Sequence, residues 1–598
     1  MIYYDIIVIG AGHAGIEAAT AAARMGCKVA LLTLSKNKVG HMPCNPAVGG
    51  IGKGHIVFEI SALGGTMPQL CSKSYLQANM LNQSKGPAVQ GLRLQIDKAE
   101  YAKEALNFIQ NSESIDLIEE IGDELLFNDS KEIIGIKTVS QKIYNCKNII
   151  ITTGTFLNGL IHIGLKNFSG GRANEQSITG LAKSIKSLNL NIGRLKTGTP
   201  PRLLRSSLNF DCMEEQGSHT LKYLFELDSK EVVHKKSCYM TRTNSNTHDI
   251  IRENADLSPI YRKEICGIAP RYCPSIEDKL LRFAGKDSHN VFVEPEGFLS
   301  EEIYPNGLST SLPLEVQEKF IRSIAGFENA IITQPGYAIE YDFVFPNQLK
   351  HTLELKEYKG LFLAGQINGT TGYEEAAGQG LIAGINAACR SLNLPDFILH
   401  REESYIGIMI DDLVTLSIDE PYRMFTSRAE RRLIIRQDNV FYRMYEKAYK
   451  YNLIKKDVFE KIDLEYKNIE FIKNDLLKNE KERIRLFQEI SAGNEDFVKE
   501  KINSIYNLND RQRDYLFSEI LYYPYYEREM REVKKISEYR ELTIRDDFNY
   551  LDIPGLSKEL QQKLSLQRPI NIAQATLIKG MTPAAISLLI FKIRELKR

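Results

Sequence analysis

The chain has 598 residues, with 76 Lys+Arg against 76 Asp+Glu and a formal net charge of zero. That length exceeds what one hydrophobic core can serve, so about two to four domains are expected. Charge balance excludes a global positive field, and any nucleic-acid site must be a local patch. The nine cysteines show no C-x-x-C spacing and read as reduced thiols. The opening MIYYDIIVIGAG has no basic n-region, and no stretch approaches the roughly 18 uninterrupted apolar residues of a membrane span. A soluble cytoplasmic protein is expected, with no membrane and no metal site.

The first elements carry most of the chemistry. Asp5 to Ile9 is a short apolar run, followed at once by Gly10-Ala11-Gly12-His13-Ala14-Gly15 and a helical stretch that ends near Gly26. This is the strand, G-x-G-x-x-G turn and helix of a dinucleotide site. Gly10 permits the tight turn, Gly12 lets backbone approach a pyrophosphate, and Gly15 lets the helix pack close. The next strand, Lys28 to Leu34, ends in Thr33 and Ser35 rather than the usual ribose-binding carboxylate. Up to this point NAD and FAD both remain open.

Gly40 to Gly54 is almost all turn residues, stiffened by Pro43 and Pro46, and it holds Cys44 and Lys53. Cys27, Cys146 and Cys389 sit beside hydrophobes and are expected in the core. Ser84 to Val89 with Arg93, and Gly193 to Arg202 with Lys196, alternate basic residues with Gly and Pro, a pattern suited to an anionic ligand. Asn148 to Thr155 is a β-run ending in a small-residue turn. Gly360 to Gln366 is another, followed by the Gly-rich stretch Asn368 to Gly380. With the opening motif these segments point to one FAD domain assembled from distant parts of the chain.

The polar stretch from about Ser206 to Ile265 interrupts the flavin pattern and is expected to be an insertion. Cys273 follows it, flanked by Arg271 and Lys279, cations that favour a thiolate. After about Pro395 glycine becomes scarce and helical spacing dominates. At the start of that region Glu420 to Arg432 combines Arg423 and Arg428 with two aromatics, a pattern that suits RNA. The end reads as short helices, with Thr582 placed to cap one begun by Pro583.

These words carry a resemblance: GAGHAGIEAA, MPCNPAVGGIGKGH, SKGPAV, SGGRA, GRLKTGTPPR, APRYCPSIEDK, EPEG, EIYPNG, GQINGTTGYEEAAGQG, EPYRMFTSRAE and MTPAAIS. The chain resembles the MnmG/GidA family of tRNA uridine 5-carboxymethylaminomethyl modification enzymes over essentially its whole length. The resemblance implies an α/β fold: a Rossmann-like FAD-binding domain at 1–203 and 284–396, an inserted α/β NADH-binding domain at 204–283, a helical domain at 397–545 and a C-terminal helical subdomain at 546–598. It implies a homodimer that works with the GTPase MnmE, in a heterotetramer, on the wobble uridine of certain tRNAs. Methylenetetrahydrofolate and glycine or ammonium would build the substituent.

Carried over by motif, Gly10, Ala11, Gly12, His13, Ala14, Gly15, Gly122, Ser177 and Gln366 would hold FAD. Ala269, Pro270, Arg271, Tyr272, Ser275, Lys279 and Phe283 would hold NADH. Cys44 and Cys273 match the family's two functional cysteines, one to add to uracil carbon 6 and the other as general acid. Lys53, Arg202, Lys279, Arg423 and Arg428 are the expected tRNA contacts, and Lys196 an anion contact. A folate/FAD-dependent tRNA uracil methyltransferase is the alternative, disfavoured by the long helical third. A disulfide-reductase type lacks its cysteine pair, and a non-catalytic flavin scaffold would leave both cysteines dispensable.

Overall fold

The computed structural model describes residues 2–228, 232–269, 274–416, 418–545 and 547–596. Ile115–Glu119, Val29–Thr33, Ile2–Ile9 and Ile143–Ile151 lie side by side and parallel, in that order. The antiparallel strands Ile133–Thr138 and Gly122–Phe127 extend the sheet beyond Ile143–Ile151. Leu361–Leu363 joins the same edge, in parallel with Ile149 to Ile151. Every residue of Val29–Thr33 is buried, because a central parallel strand is covered on both faces.

The helix His13–Arg24 crosses from the first strand to the second, and Gly26, at φ +95°, ends it as a left-handed residue after the C-cap. It packs on Tyr373–Leu392, more than 350 residues away in sequence. The contact is backbone to backbone: a Cβ on Gly380 would lie 2.0 Å from the Ala14 carbonyl oxygen, and one on Gly384 2.3 Å from that of Ala18. Glycine and alanine in this helix therefore serve close packing, while its first turn faces the cavity described below.

Two antiparallel layers flank this unit. One runs Lys166–Ser169, Leu160–Ile163, Tyr337–Val344, Ile192–Thr199. The other runs Glu214–Gln216, Cys238–Arg242, Asn290–Pro295, Glu302–Asn306, Arg202–Leu204, Ile332–Gln334. The second layer has its own core, from Leu203 to Ala330, which includes Ile276 and Leu280 of the helix Ile276–Arg282 and Phe320 of the helix Leu314–Arg322. Its strands and core thus continue past Phe283, where the sequence ends the insertion, because Asn290–Pro295 and Glu302–Asn306 complete the sheet begun by Cys238–Arg242.

After Leu392 the described structure is helical. Phe397, Tyr405, Met409, Phe441 and Phe517 belong to the same continuous core as Ile7 and Leu31. Arg443 of the helix Val440–Lys450 reaches Glu59 of the helix Lys53–Ala62. The boundary expected at 397 is therefore no break in packing. The last helices, Lys558–Gln567, Ile572–Thr576 and Pro583–Leu596, enclose a separate core from Ile544 to Ile593. Thr582 Oγ1 accepts the Ala585 amide, which caps the last helix as expected. Among the described residues no helix is long and apolar enough to cross a membrane.

Candidate active site

One cavity of about 480 Å³ unites residues from all three α/β layers. At one end lie Thr33, Ser35, Lys38, Glu120 and Gly122. The Gly10–Ala14 turn and Thr152–Phe156 form its middle, with Gly365, Gln366 and Thr371–Glu374 opposite. At the far end stand Cys44, Lys53, Arg93, Thr197–Thr199, Tyr304, Asn306 and Arg423.

The glycine turn is built as its spacing predicts. Gly10 has φ +106°, and a Cβ there would meet the Thr152 carbonyl at 2.6 Å; a Cβ on Gly15 would lie 1.7 Å from the Gly10 carbonyl oxygen. Gly12 differs, since a Cβ on it meets nothing within 4 Å. Gly12 and Gly372 each precede a helix and bring no side-chain cap, so the two helix N-termini offer amides and positive dipole ends to the cavity. Among the described residues, His13 Nε2, Asn45 Oδ1 and Thr153 Oγ1 are buried there without a hydrogen-bond partner. Open space before Gly12, two uncapped helix ends and orphaned polar atoms fit a bound dinucleotide.

A carboxylate from another strand end, Glu120, stands beside Thr33 at the cavity. Glu120 follows Ile115–Glu119, and its amide donates to the Thr33 carbonyl at 3.1 Å. Its carboxylate takes Ser140 and Lys142, and these bonds hold it below the usual carboxylate range. Only the order of strands places it beside Thr33.

Cys44 is half-exposed in its loop, and its amide donates to the Tyr373 hydroxyl at 2.8 Å. Arg202 Nη2 donates to the Pro43 carbonyl at 2.5 Å, next to it. Lys53 bridges Glu374 at 2.8 Å and Glu375 at 3.1 Å, and Glu374 also accepts the Gly49 amide. The loop is thus tied at three points to the head of the helix Tyr373–Leu392 and to Arg202. Burial, with Arg172 nearby, pushes His13 and His41 down to about 3, so both imidazoles are neutral near neutral pH.

Other expected residues stand elsewhere. Ser177 is bonded to Ser169 and does not line the cavity. Arg202, expected at nucleic acid, is only 4 % exposed, and its donors go to Glu296, Thr199, Pro200 and Pro43. Arg428 lies over the Tyr422 ring and bonds the Arg423 carbonyl, and it remains half-exposed. Lys196 is buried, 3.7 Å from Asp278. Ser275 caps the helix Ile276–Arg282, and Lys279 donates to the Gly307 carbonyl. Ala269 is half-buried and Phe283 exposed. Pro270, Arg271, Tyr272 and Cys273 lie outside the described residues. Sequence reasoning missed Lys98, Glu296 and Tyr373. None stands in a chemistry-bearing word by itself, although EPEG and TTGYEE contain two of them.

A parallel dinucleotide sheet, an uncapped glycine-turn helix and a cysteine loop on the same cavity define an α/β protein of the dinucleotide-binding class with a cysteine at its cavity. Residues 5–395 match the family described as "Glucose inhibited division protein A", and residues 532–598 match "tRNA modifying enzyme MnmG/GidA C-terminal helical bundle". The chain belongs to the MnmG/GidA family. It is 45% identical over 614 residues to the "tRNA uridine 5-carboxymethylaminomethyl modification enzyme MnmG" of Thermodesulfovibrio yellowstonii, covering 99% of this chain and 98% of the relative. The protein of the same name from Campylobacter fetus is also 45% identical, covering 99% of each. The structure of Aquifex aeolicus GidA superposes with a TM-score of 0.91 at 41% identity, covering 99% of this chain and 100% of that one.

Proposed function

We propose that this chain is a flavin-dependent enzyme that modifies carbon 5 of the wobble uridine in certain tRNAs towards 5-carboxymethylaminomethyluridine. The observation that carries the reading is the cavity itself: Cys44 shares it with the glycine turn, in a chain alike from end to end to relatives of that name. The helix amides after Gly12 bind the pyrophosphate, and Glu120 with Thr33 faces the ribose. Gln366 and the first turn of Tyr373–Leu392 face the ring end. FAD bound here supplies two-electron redox chemistry.

The finer parts of the reading rest on the family resemblance. NADH is the reductant, taken by the insertion through the segment Ala269 to Phe283. Methylenetetrahydrofolate donates the methylene, and glycine or ammonium the nitrogen. One of Cys44 and Cys273 adds to uracil carbon 6, which activates carbon 5, and the other moves the proton. Arg423, at the far end of the cavity, meets the tRNA, whereas the expected contact Lys53 is taken up by Glu374 and Glu375. The protein works as a cytoplasmic homodimer with the GTPase MnmE. The match of residues 532–598 to the MnmG/GidA helical bundle weighs against the uracil methyltransferase alternative.

The test is nucleoside analysis of tRNA from cells whose only copy of this protein carries Cys44→Ser. The expected result is loss of the wobble derivatives, while the purified variant keeps its yellow flavin spectrum. Full retention of those nucleosides would overturn the assignment.

A further inference from the structure

Behind the Cys44 loop lies a buried cluster of two cations and one carboxylate. Lys98 Nζ stands 2.5 Å and Arg202 Nε 2.7 Å from the same oxygen, Glu296 Oε1, with side-chain exposures of 10%, 5% and 10% for Lys98, Arg202 and Glu296. The backbone ties them further, because the Lys98 amide donates to the Glu296 carbonyl at 3.0 Å. Two cations share one anion, so the cluster holds an excess positive charge away from water. Buried charge of that kind is costly unless an anion stands near. The Cys44 sulfur is within electrostatic range of both Lys98 and Arg202.

Among the described residues, the other groups around the thiol do not neutralise the excess. Tyr337, Tyr341 and Tyr373 face it, and burial pushes all three phenols up, so they are neutral. His41, on the same loop, is neutral, with Lys38 and Arg172 adding further positive charge beside it. Glu294 also feels Lys98 but is paired with Arg93 at 2.7 Å. Burial brings Lys98 down to about 8 even with Glu296 in contact, as expected where one carboxylate serves two cations.

We propose that Lys98, Glu296 and Arg202 form a positioning and charge-tuning cluster for Cys44: Arg202 fixes the loop through the Pro43 carbonyl, and the cluster's net positive charge favours the thiolate. Arg202 thereby moves from an expected tRNA contact to a residue acting through Cys44. The inference rests on the reading of Cys44 as the reacting thiol.

The experiment is iodoacetamide alkylation of the full-length, flavin-loaded protein as a function of pH, with the Cys44 peptide followed by mass spectrometry. Lys98→Met should raise the midpoint of Cys44 labelling by about one pH unit or more, and Lys98→Arg should restore it. Lys98→Gln, which also removes the charge and keeps a polar side chain, should raise the midpoint alike. A shift shared by two neutral variants and reversed by Lys98→Arg is not produced by a merely structural role, which lowers thermal stability and leaves the titration alone. An unmoved midpoint in Lys98→Met, or in Lys98→Gln should the first variant not fold, overturns the proposal. A Cys44→Ser protein that still modifies tRNA would sink the functional reading and leave these titrations standing.

Discussion

Three glycines of one turn do three separate jobs, and the structure lets each be tested alone. A Cβ on Gly15 has nowhere to go, 1.7 Å from the Gly10 carbonyl oxygen, whereas one on Gly12 meets open cavity. Gly15→Ala should therefore lower stability by about 3 kcal/mol or more, as forced overpacking does. Gly12→Arg should leave the melting temperature of the flavin-free protein within a few degrees and abolish flavin binding. Thermal unfolding and the visible spectrum of both variants decide the matter: a flavin-binding Gly12→Arg protein would remove the pyrophosphate role given to that turn. The sequence motif named these residues together but did not say which one faces the ligand.

At the scale of elements, the helices His13–Arg24 and Tyr373–Leu392 form the frame of the cavity. Their contact through Ala14, Ala18, Gly380 and Gly384 holds two positive helix ends towards one cavity. A large side chain at that contact moves both ends at once. Gly384→Leu is expected to cost about 3 kcal/mol and to weaken flavin affinity, although residue 384 lies three turns from the cavity. Equilibrium flavin binding and denaturant unfolding measure the two effects. An unchanged flavin affinity would mean that the helix pair does not set the geometry of the site. The Gly- and Ala-rich composition of the second helix was legible in the sequence. Its partner was not, because such composition fits any close neighbour.

The whole molecule divides where its cores divide. One core runs from Tyr4 to Ile520 and another from Ile544 to Ile593, with Arg540–Glu402 and Gln574–His351 among the contacts between them. A chain ending after Glu541 should keep flavin and most of its melting temperature, since the dinucleotide core is complete without the last helices. The same truncation should abolish tRNA modification if that bundle docks the GTPase or the tRNA. Loss of flavin on truncation would show instead that the bundle supports the cavity. The expected helical domain at 397–545 was legible as helix, but its sharing of the dinucleotide core was not. Residues such as Phe397 and Phe517 look the same in a separate core and a shared one.

The sequence by itself determined the dinucleotide turn, the discontinuous α/β domain, the helical last third and Cys44, because these depend on local spacing and on unusual words. Only the tertiary structure decided that Glu120 stands beside Thr33, that Arg202 is buried and Arg428 packs over Tyr422, and that Lys98 and Glu296 stand behind the cysteine loop. The physical reason is the same in each case. A basic residue in a turn is equally suited to water, a phosphate or a buried carboxylate, and which it meets depends on strands and helices hundreds of residues away.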